Sequence, residues 1–153
     1  MMERPGEGGF TLLETVCVLA IIAMLAAIVL PAFPHGTTRS ALEAYALQTA
    51  ALLKTDRTAA IWAGAAVQTE LSSASNTIRS TASGRVVQLP RDVVFNAVLA
   101  AQCGGRASGM VIEFFPSGMS CGGTIFLSRP GAGFEVRVSW LTGGIEIVPA
   151  NVL

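Results

Sequence analysis

The chain has 153 residues, of which 52% are hydrophobic and 13% charged, and its ten basic and ten acidic side chains balance to a formal net charge of zero. This length accommodates one membrane segment and a single small domain. The balanced charge excludes a strongly basic protein of the kind that binds nucleic acid or anionic membranes.

The first predicted element is an apolar helix over residues 10–30. These 21 residues match the length of about 20 that a helix needs to cross the hydrocarbon core of a bilayer. Glu14 is their only ionisable side chain. Because a charge at the centre of such a helix costs about 2.5 to 3.5 kcal/mol on insertion scales, an acid inside it is a functional candidate. The sequence therefore predicts a transmembrane helix in which Glu14 has a role.

Three other interpretations fit the apolar segment less well. A secretory signal peptide has a basic start and small residues before its cleavage site, whereas this chain begins with two acids and one arginine, and prolines follow the segment. A buried core helix has a polar face, and residues 16–30 have none. A plain membrane anchor leaves Glu14 without an explanation.

A second, amphipathic helix is predicted after a proline-rich interruption at residues 31–34. Thr37 or Thr38 can cap it, and Gly64 is the natural stop. Residues 31–64 are predicted to continue the first helix. Together with the membrane segment they make a kinked rod of about 50 residues, on the order of 75 to 80 Å long. The residues of its packed stripe recur at intervals of three and four over 39–62, at Leu42, Tyr45, Ala46, Thr49, Leu52 and Leu53. The opposite face is predicted to be solvated and carries Glu43, Gln48, Lys54, Asp56 and Arg57.

Residues 65–153 are predicted to form a β-rich globular domain, because short hydrophobic runs alternate with Gly, Pro, Ser and Asn. The clearest strand has Phe134, Val136, Val138 and Trp140 on one, buried face. Residues 102–108 are predicted to be a mobile connection, and residues 141–144 a turn into a terminal hairpin. The candidate strands are 67–71, 77–81, 86–89, 93–99, 110–115, 124–128, 134–140 and 145–148. The predicted fold class is α+β, with a long N-terminal helix packed on antiparallel sheet.

At Gly8-Gly9-Phe10-Thr11-Leu12-Leu13-Glu14 and the apolar run behind it, the chain resembles the type IV prepilin-like proteins, which include the pilins and the pseudopilins of type II secretion. The resemblance implies that a membrane-bound prepilin peptidase removes a leader of residues 1–9 by cutting between Gly9 and Phe10. It also implies that Phe10 is then N-methylated and that Glu14, the fifth mature residue, serves assembly. The leader departs from the family pattern, since it has one arginine against two acids where relatives are commonly basic.

The spacing between Phe10 and Glu14 has a physical logic. Cleavage creates a cationic amine at Phe10, and Glu14 lies one helical turn later on the same face. The positive end of the helix dipole also favours a carboxylate in the first turn. In a fibre, the family pattern implies that Glu14 of an incoming subunit meets the N-terminal amine of its neighbour.

Residues 115–125 and 138–145, together with the end of the second helix around Arg57, resemble the GspH/FimT family of H-type minor pseudopilins and related minor pilins. This resemblance implies a pilin-like fold and a minor pseudopilin of a type II secretion system, in or at the tip of a periplasmic pseudopilus that drives export across the outer membrane. It implies a single-pass protein of the bacterial inner membrane whose C-terminal domain is periplasmic. The implied partners are the prepilin peptidase, other major and minor pseudopilins and the inner-membrane secretion platform.

The alternative is a minor type IV pilin that primes pilus assembly or binds DNA for uptake. DNA binding needs several cationic side chains to neutralise phosphates. Gly144 stands where relatives often carry arginine, and the tail over residues 145–153 has no basic side chain. The sequence therefore favours secretion, and a nucleic-acid partner is not expected.

The cysteines and the single histidine give no sign of catalysis. Cys17 lies in the membrane segment and acts there as a small apolar residue. In an oxidising periplasm, Cys103 and Cys121 can form a disulfide worth about 3 kcal/mol; two buried free thiols are the alternative. Two cysteines without nearby histidines do not make a four-ligand zinc site.

His35 belongs to the proline-rich joint, and no serine has the acid and histidine partners of a nucleophile. Neither an enzyme nor a cofactor or metal is therefore expected.

Overall fold

The computed structural model describes residues 11–29, which belong to one unit, and residues 36–150, which belong to a second. The predicted leader, Gly9 and Phe10, the proline-rich joint with His35, and the last three residues lie outside the described residues.

The first unit contains helix α1, which spans Leu12–Val29. Its side chains are apolar on every side apart from the first turn, and those from Leu12 to Ala27 are exposed. This helix is the described part of the element predicted over residues 10–30. Of the helices in the described part of the chain, none has the combined length and apolarity that spanning a membrane requires.

The second unit begins with helix α2, which spans Arg39–Ala63. Thr38 is its N-cap, and the Thr38 hydroxyl oxygen accepts a hydrogen bond from the Ala41 N–H at 3.2 Å. Gly64 ends the helix in the left-handed conformation, with φ 62°, where a residue without Cβ is favoured. The predicted helix, its capping threonine and its glycine stop are confirmed.

Residues 36–38 are not helical, in agreement with the prediction that Thr37 or Thr38 caps a new helix after the interruption, and the domain boundaries at residues 31 and 64 stay a prediction. Thr38 has φ −73° and ψ 165°, an extended conformation that lets its side chain cap α2. Helix α2 therefore starts afresh at Arg39.

Ten strands follow in the described part of the chain, and all their pairings are antiparallel. They are β1 (Val67–Ser72), β2 (Thr77–Ser80), β3 (Val86–Gln88), β4 (Val94–Leu99), β5 (Gln102–Cys103), β6 (Arg106–Ala107), β7 (Val111–Phe114), β8 (Gly123–Arg129), β9 (Ala132–Val138) and β10 (Ile145–Ala150). The first sheet has the order β3-β2-β1-β7, the second has the order β10-β9-β8-β4, and β5 pairs with β6 alone among the described strands. Helix α2 packs against both four-stranded sheets.

The core lies between α2 and the two sheets. Burial alternates along β1 and along β9 from Phe134 onward, so one face of each strand points inward, as the sequence pattern predicts. The largest fully buried apolar side chains are Leu42, Leu52, Leu53, Ile78, Leu89, Val93, Ile112, Phe114, Ile125, Leu127 and Val136. The α+β prediction, with helix packed on antiparallel sheet, is confirmed.

Two predictions about the β-rich part are wrong. Residues 102–108 contain the β5–β6 hairpin, where the sequence predicted only a connection. Strand β9 ends at Val138, and Trp140 is 63% exposed although the alternation placed it on the buried face. The chain turns before Trp140 can continue the strand, since the Ser139 carbonyl accepts the Gly143 N–H at 2.9 Å.

Candidate functional site

The N-terminal motif is described from Thr11 onward. Glu14 lies in the first turn of α1, and its side chain is exposed. Its backbone N–H donates to the Thr11 carbonyl oxygen at 3.0 Å and lies 3.3 Å from the Thr11 hydroxyl oxygen. The Thr11 side chain therefore caps the N-terminus of α1, a contact that the sequence analysis overlooked. Gly9 and Phe10 lie outside the described residues, so the pairing of Glu14 with a new N-terminus stays a prediction.

The start of the second unit is held by Asp92. Its Oδ2 accepts the Thr37 backbone N–H at 2.6 Å, and its Oδ1 accepts the Thr37 hydroxyl at 2.9 Å. The Thr37 backbone N–H, followed by the Thr37 hydroxyl, holds the pKa of Asp92 below its usual value, because both stabilise the charged form. The sequence analysis missed Asp92, since a single acid in an exposed turn carries no local signal.

Asp56 lies on the buried stripe of α2. Its carboxylate accepts the Thr69 hydroxyl at 2.6 Å and the Ser80 hydroxyl at 2.5 Å. Thr69 and Ser80 face each other across β1 and β2, and all three side chains are fully buried. The prediction that Asp56 lies on a solvated face is wrong; it follows the buried Leu52 by four residues, the spacing of one helix face.

Arg57, the next residue, joins α2 to two turns. Its Nε donates to the Gly118 carbonyl at 2.9 Å, and its Nη2 donates to the Thr142 carbonyl at 3.1 Å. We call Arg57, Gly118 and Thr142 the arginine clamp. Its two turns connect β7 to β8 and β9 to β10, so one guanidinium bridges loops of both sheets.

Two glycines, Gly118 in the arginine clamp and Gly143 next to Thr142, leave room for the guanidinium. Gly118 has φ 81° and Gly143 has φ 61°, a backbone region that residues with a Cβ rarely adopt. A Cβ on Gly143 would overlap the Gly118 carbonyl oxygen and lie 2.8 Å from the Arg57 Nε. The segments 115–125 and 138–145, which carry the GspH/FimT resemblance, thus meet at Arg57. The end of the helix that contains Arg57 is the third part of that resemblance.

The structure brings Cys103 and Cys121 together in a disulfide with Cα atoms 5.5 Å apart, within the usual range for a bridge. Cys103 lies in β5, and Cys121 lies in the segment between β7 and β8. The Cys121 N–H donates to the Glu113 carbonyl oxygen at 3.0 Å, which fixes this segment beside β7. Formation of the bridge in the native protein stays a prediction that a thiol count of the purified chain tests.

Residues 4–30 match the family model of the prokaryotic N-terminal methylation motif. The chain is also 30% identical over 141 residues to the type II secretion system protein H of Xanthomonas campestris pathovar campestris, and the match covers 92% of this chain and 83% of that protein.

Two solved structures show the same fold. The minor pseudopilin EpsH from the type 2 secretion system of Vibrio cholerae matches with a TM-score of 0.56 and 11% identity, over 70% of this chain and 95% of EpsH. The type IV minor pilin FimU of Pseudomonas aeruginosa matches with a TM-score of 0.54 and 17% identity, over 72% of this chain and 90% of FimU. With the sequence match over 92% of the chain and the N-terminal motif, the chain belongs to the family of the type II secretion system protein H, the H-type minor pseudopilins.

Proposed function

We propose that the chain is a minor pseudopilin that assembles into, or at the tip of, the periplasmic pseudopilus that drives protein export across the outer membrane. The observation that carries this proposal is the 30% identity to a type II secretion system protein H over 92% of the chain. The N-terminal methylation motif over residues 4–30 supports it independently.

In this proposal, a prepilin peptidase cuts the chain between Gly9 and Phe10. Phe10 then becomes the methylated N-terminus. The motif match spans both residues. Residues 10–30 hold the processed chain in the bacterial inner membrane, and the second unit extends into the periplasm. The partners are the peptidase, the other major and minor pseudopilins and the inner-membrane secretion platform.

Glu14 is proposed to select the correct position of an incoming subunit. Its exposed carboxylate is free to face a neighbouring chain, and the amine of that neighbour's Phe10 is its complement. Removing one partner of a buried ion pair costs about 3 to 5 kcal/mol, which is enough to decide whether a subunit docks.

The fold alone does not separate secretion from a type IV pilus, because EpsH and FimU match with TM-scores of 0.56 and 0.54. The sequence relative supports secretion, because its 30% identity extends over both the N-terminal motif and the β-rich part.

The test is Glu14→Ala in the full-length chain, expressed in a host that lacks its own copy. We expect the variant to be cleaved after Gly9 and methylated, but to be absent from sheared or cross-linked pseudopili and to support little secretion. Mass spectrometry of the mature N-terminus, fibre incorporation and secreted protein are the three measurements.

Glu43→Ala is the matched control, because Glu43 is an exposed glutamate on α2 and should leave all three measurements unchanged. Normal incorporation of Glu14→Ala would refute the assembly role. An intact leader in the native protein would refute the processing step.

A further inference from the structure

Three side chains from separate parts of the second unit meet beside β7. They are Cys103 in β5, Glu113 in β7 and Cys121 in the segment before β8. The two Sγ atoms and one carboxylate oxygen of Glu113 all lie within 4.8 Å of one another. We propose that, when the Cys103–Cys121 disulfide is reduced, these three side chains bind one Zn²⁺ ion.

The distances suit a tetrahedral zinc site after small movements. Zinc binds thiolate sulfur at about 2.3 Å and carboxylate oxygen at about 2.0 to 2.2 Å, so its ligand atoms lie roughly 3.3 to 3.8 Å apart. The sulfurs must separate from bonding distance, and the carboxylate oxygen must approach by about 1 Å from the limit of 4.8 Å. Thiolate ligands favour zinc over magnesium or calcium.

The surroundings of the three ligands provide room for a fourth ligand, a hydrogen bond that orients Glu113 and a compensating positive charge. A cavity of about 280 Å³ adjoins the cluster and gives room for a water molecule as the fourth ligand. Gln68 Nε2 lies 3.4 Å from a Glu113 carboxylate oxygen and orients that side chain. Two thiolates and a carboxylate leave a bound Zn²⁺ site with one net negative charge, and Arg106, which lines the same cavity, offsets it.

The chemistry needs an external dithiol reductant. That reductant donates two electrons and two protons to the Cys103–Cys121 bond and becomes a disulfide itself. The two thiols then lose their protons to solvent as their sulfurs bind Zn²⁺. Oxidation of the two thiolates by an acceptor disulfide restores the bridge and releases the ion.

The proposal implies that Cys103 and Cys121 stay linked in both redox states, by the disulfide when they are oxidised and by zinc when they are reduced. Within residues 36–150, strands β5 and β6 pair only with each other, and the Cys103–Cys121 bridge is a covalent cross-link between their hairpin and the segment before β8. Zinc would hold the same two residues after reduction. The sequence analysis excluded a zinc site from the cysteine count, because it had no means of placing Glu113 beside the two cysteines.

The test uses the full-length chain with Cys17→Ser, so that Cys103 and Cys121 are the remaining cysteines. Zinc content after desalting and competition with a chelating dye are measured on the oxidised chain and on the chain reduced with a phosphine. We expect one zinc per reduced chain and none per oxidised chain. We also expect trypsin to cut after Arg106 rapidly in the reduced, metal-free chain, and slowly in the oxidised and zinc-loaded chains.

Substitutions then assign the ligands. Cys103→Ser and Cys121→Ser should abolish zinc binding. Glu113→Gln should weaken the zinc affinity by about 10- to 100-fold or more, because loss of a mere outer-shell partner of a metal ligand already costs that much. Glu70→Gln, an exposed carboxylate on the neighbouring strand β1, is the matched control and should bind as the parent does. Circular dichroism of the oxidised variants shows that each is folded.

Two results would overturn the proposal. The first is zinc binding that is equal in the oxidised and reduced chains, or absent from both. The second is a Glu113→Gln variant that binds zinc as tightly as Glu70→Gln, because the thiols would then act without the carboxylate.

Discussion

Each unit of the chain has a carboxylate among apolar neighbours, which is exposed in the first unit and buried in the second. In α1, Glu14 is exposed on a helix whose other side chains are almost all apolar. In α2, Asp56 is fully buried, and two hydroxyls of the same chain satisfy its oxygens. The second unit therefore satisfies its buried carboxylate internally, whereas the first unit leaves its apolar surface and its acid available to other molecules.

This contrast also separates two kinds of mutational effect. A carboxylate whose partners belong to the same chain contributes to folding, and its loss should appear as a change in stability. A carboxylate whose partner belongs to another chain contributes to assembly, so its loss should leave the melting of the second unit unchanged.

The largest stability effect is expected for Asp56→Ala. The substitution leaves the buried hydroxyls of Thr69 and Ser80 without their shared acceptor, and hydrogen bonds to a charged group are each worth about 1.5 to 3 kcal/mol. We expect the free energy of unfolding to fall by about 3 to 4 kcal/mol in a urea titration followed by circular dichroism.

Glu14→Ala and Glu43→Ala serve as controls in the same titration and should change the unfolding of the second unit by less than about 0.5 kcal/mol. The comparison between the two units breaks down if Asp56→Ala is as stable as these controls. It also breaks down if Glu14→Ala destabilises the second unit.

A smaller loss is expected at the arginine clamp. Arg57→Ala removes two hydrogen bonds to carbonyl groups at the partly exposed end of α2, so we expect a loss of about 1.5 to 3 kcal/mol and faster amide exchange in the turns around Gly118 and Thr142. Arg57→Lys should recover only part of this loss, since lysine lacks the planar fork that reaches two acceptors.

Lys54→Ala is the matched control for the clamp, because Lys54 is exposed one turn earlier on α2. Equal stability of Arg57→Lys and the parent would show that charge, and not the fork, holds the two turns.

The smallest effect is expected at Asp92, and it depends on pH. The pKa of Asp92 is lowered in the folded chain by hydrogen bonds from Thr37. The stabilisation is therefore present above the unfolded pKa of about 3.9 and is lost as the pH falls through the lower folded value. Asp92→Asn should melt below the parent near neutral pH, and the difference should vanish in acid.

Thr37→Val sharpens the test, because it removes the hydroxyl contact to Asp92 and keeps the backbone one. Its effect should have the same pH dependence and a smaller size. A difference between Asp92→Asn and the parent that grows in acid would contradict the assignment.

Local patterns sufficed to predict α2 and most of the strands. Helix periodicity, a capping threonine and Gly64 act within a few residues of the backbone they shape. The family resemblance likewise pointed to Arg57 and to the two turns around it. The structure adds that these three segments touch one another.

What the sequence did not reveal depends on contacts between distant residues. Asp56 reads as a surface residue until β1 and β2 supply two hydroxyls against it. Two-residue strands such as β5 and β6 are too short to carry a periodic signal. Trp140 fits the strand alternation, but the turn that follows Val138 leaves its side chain exposed.

The attachment of Thr37 to Asp92 determines where mechanical tension enters the folded part of the protein. A pull along the N-terminal segment reaches the second unit at residues 36–38, and Asp92 lies two residues before β4 begins. Tension is therefore shared between the start of α2 and, through Asp92, the edge of the second sheet.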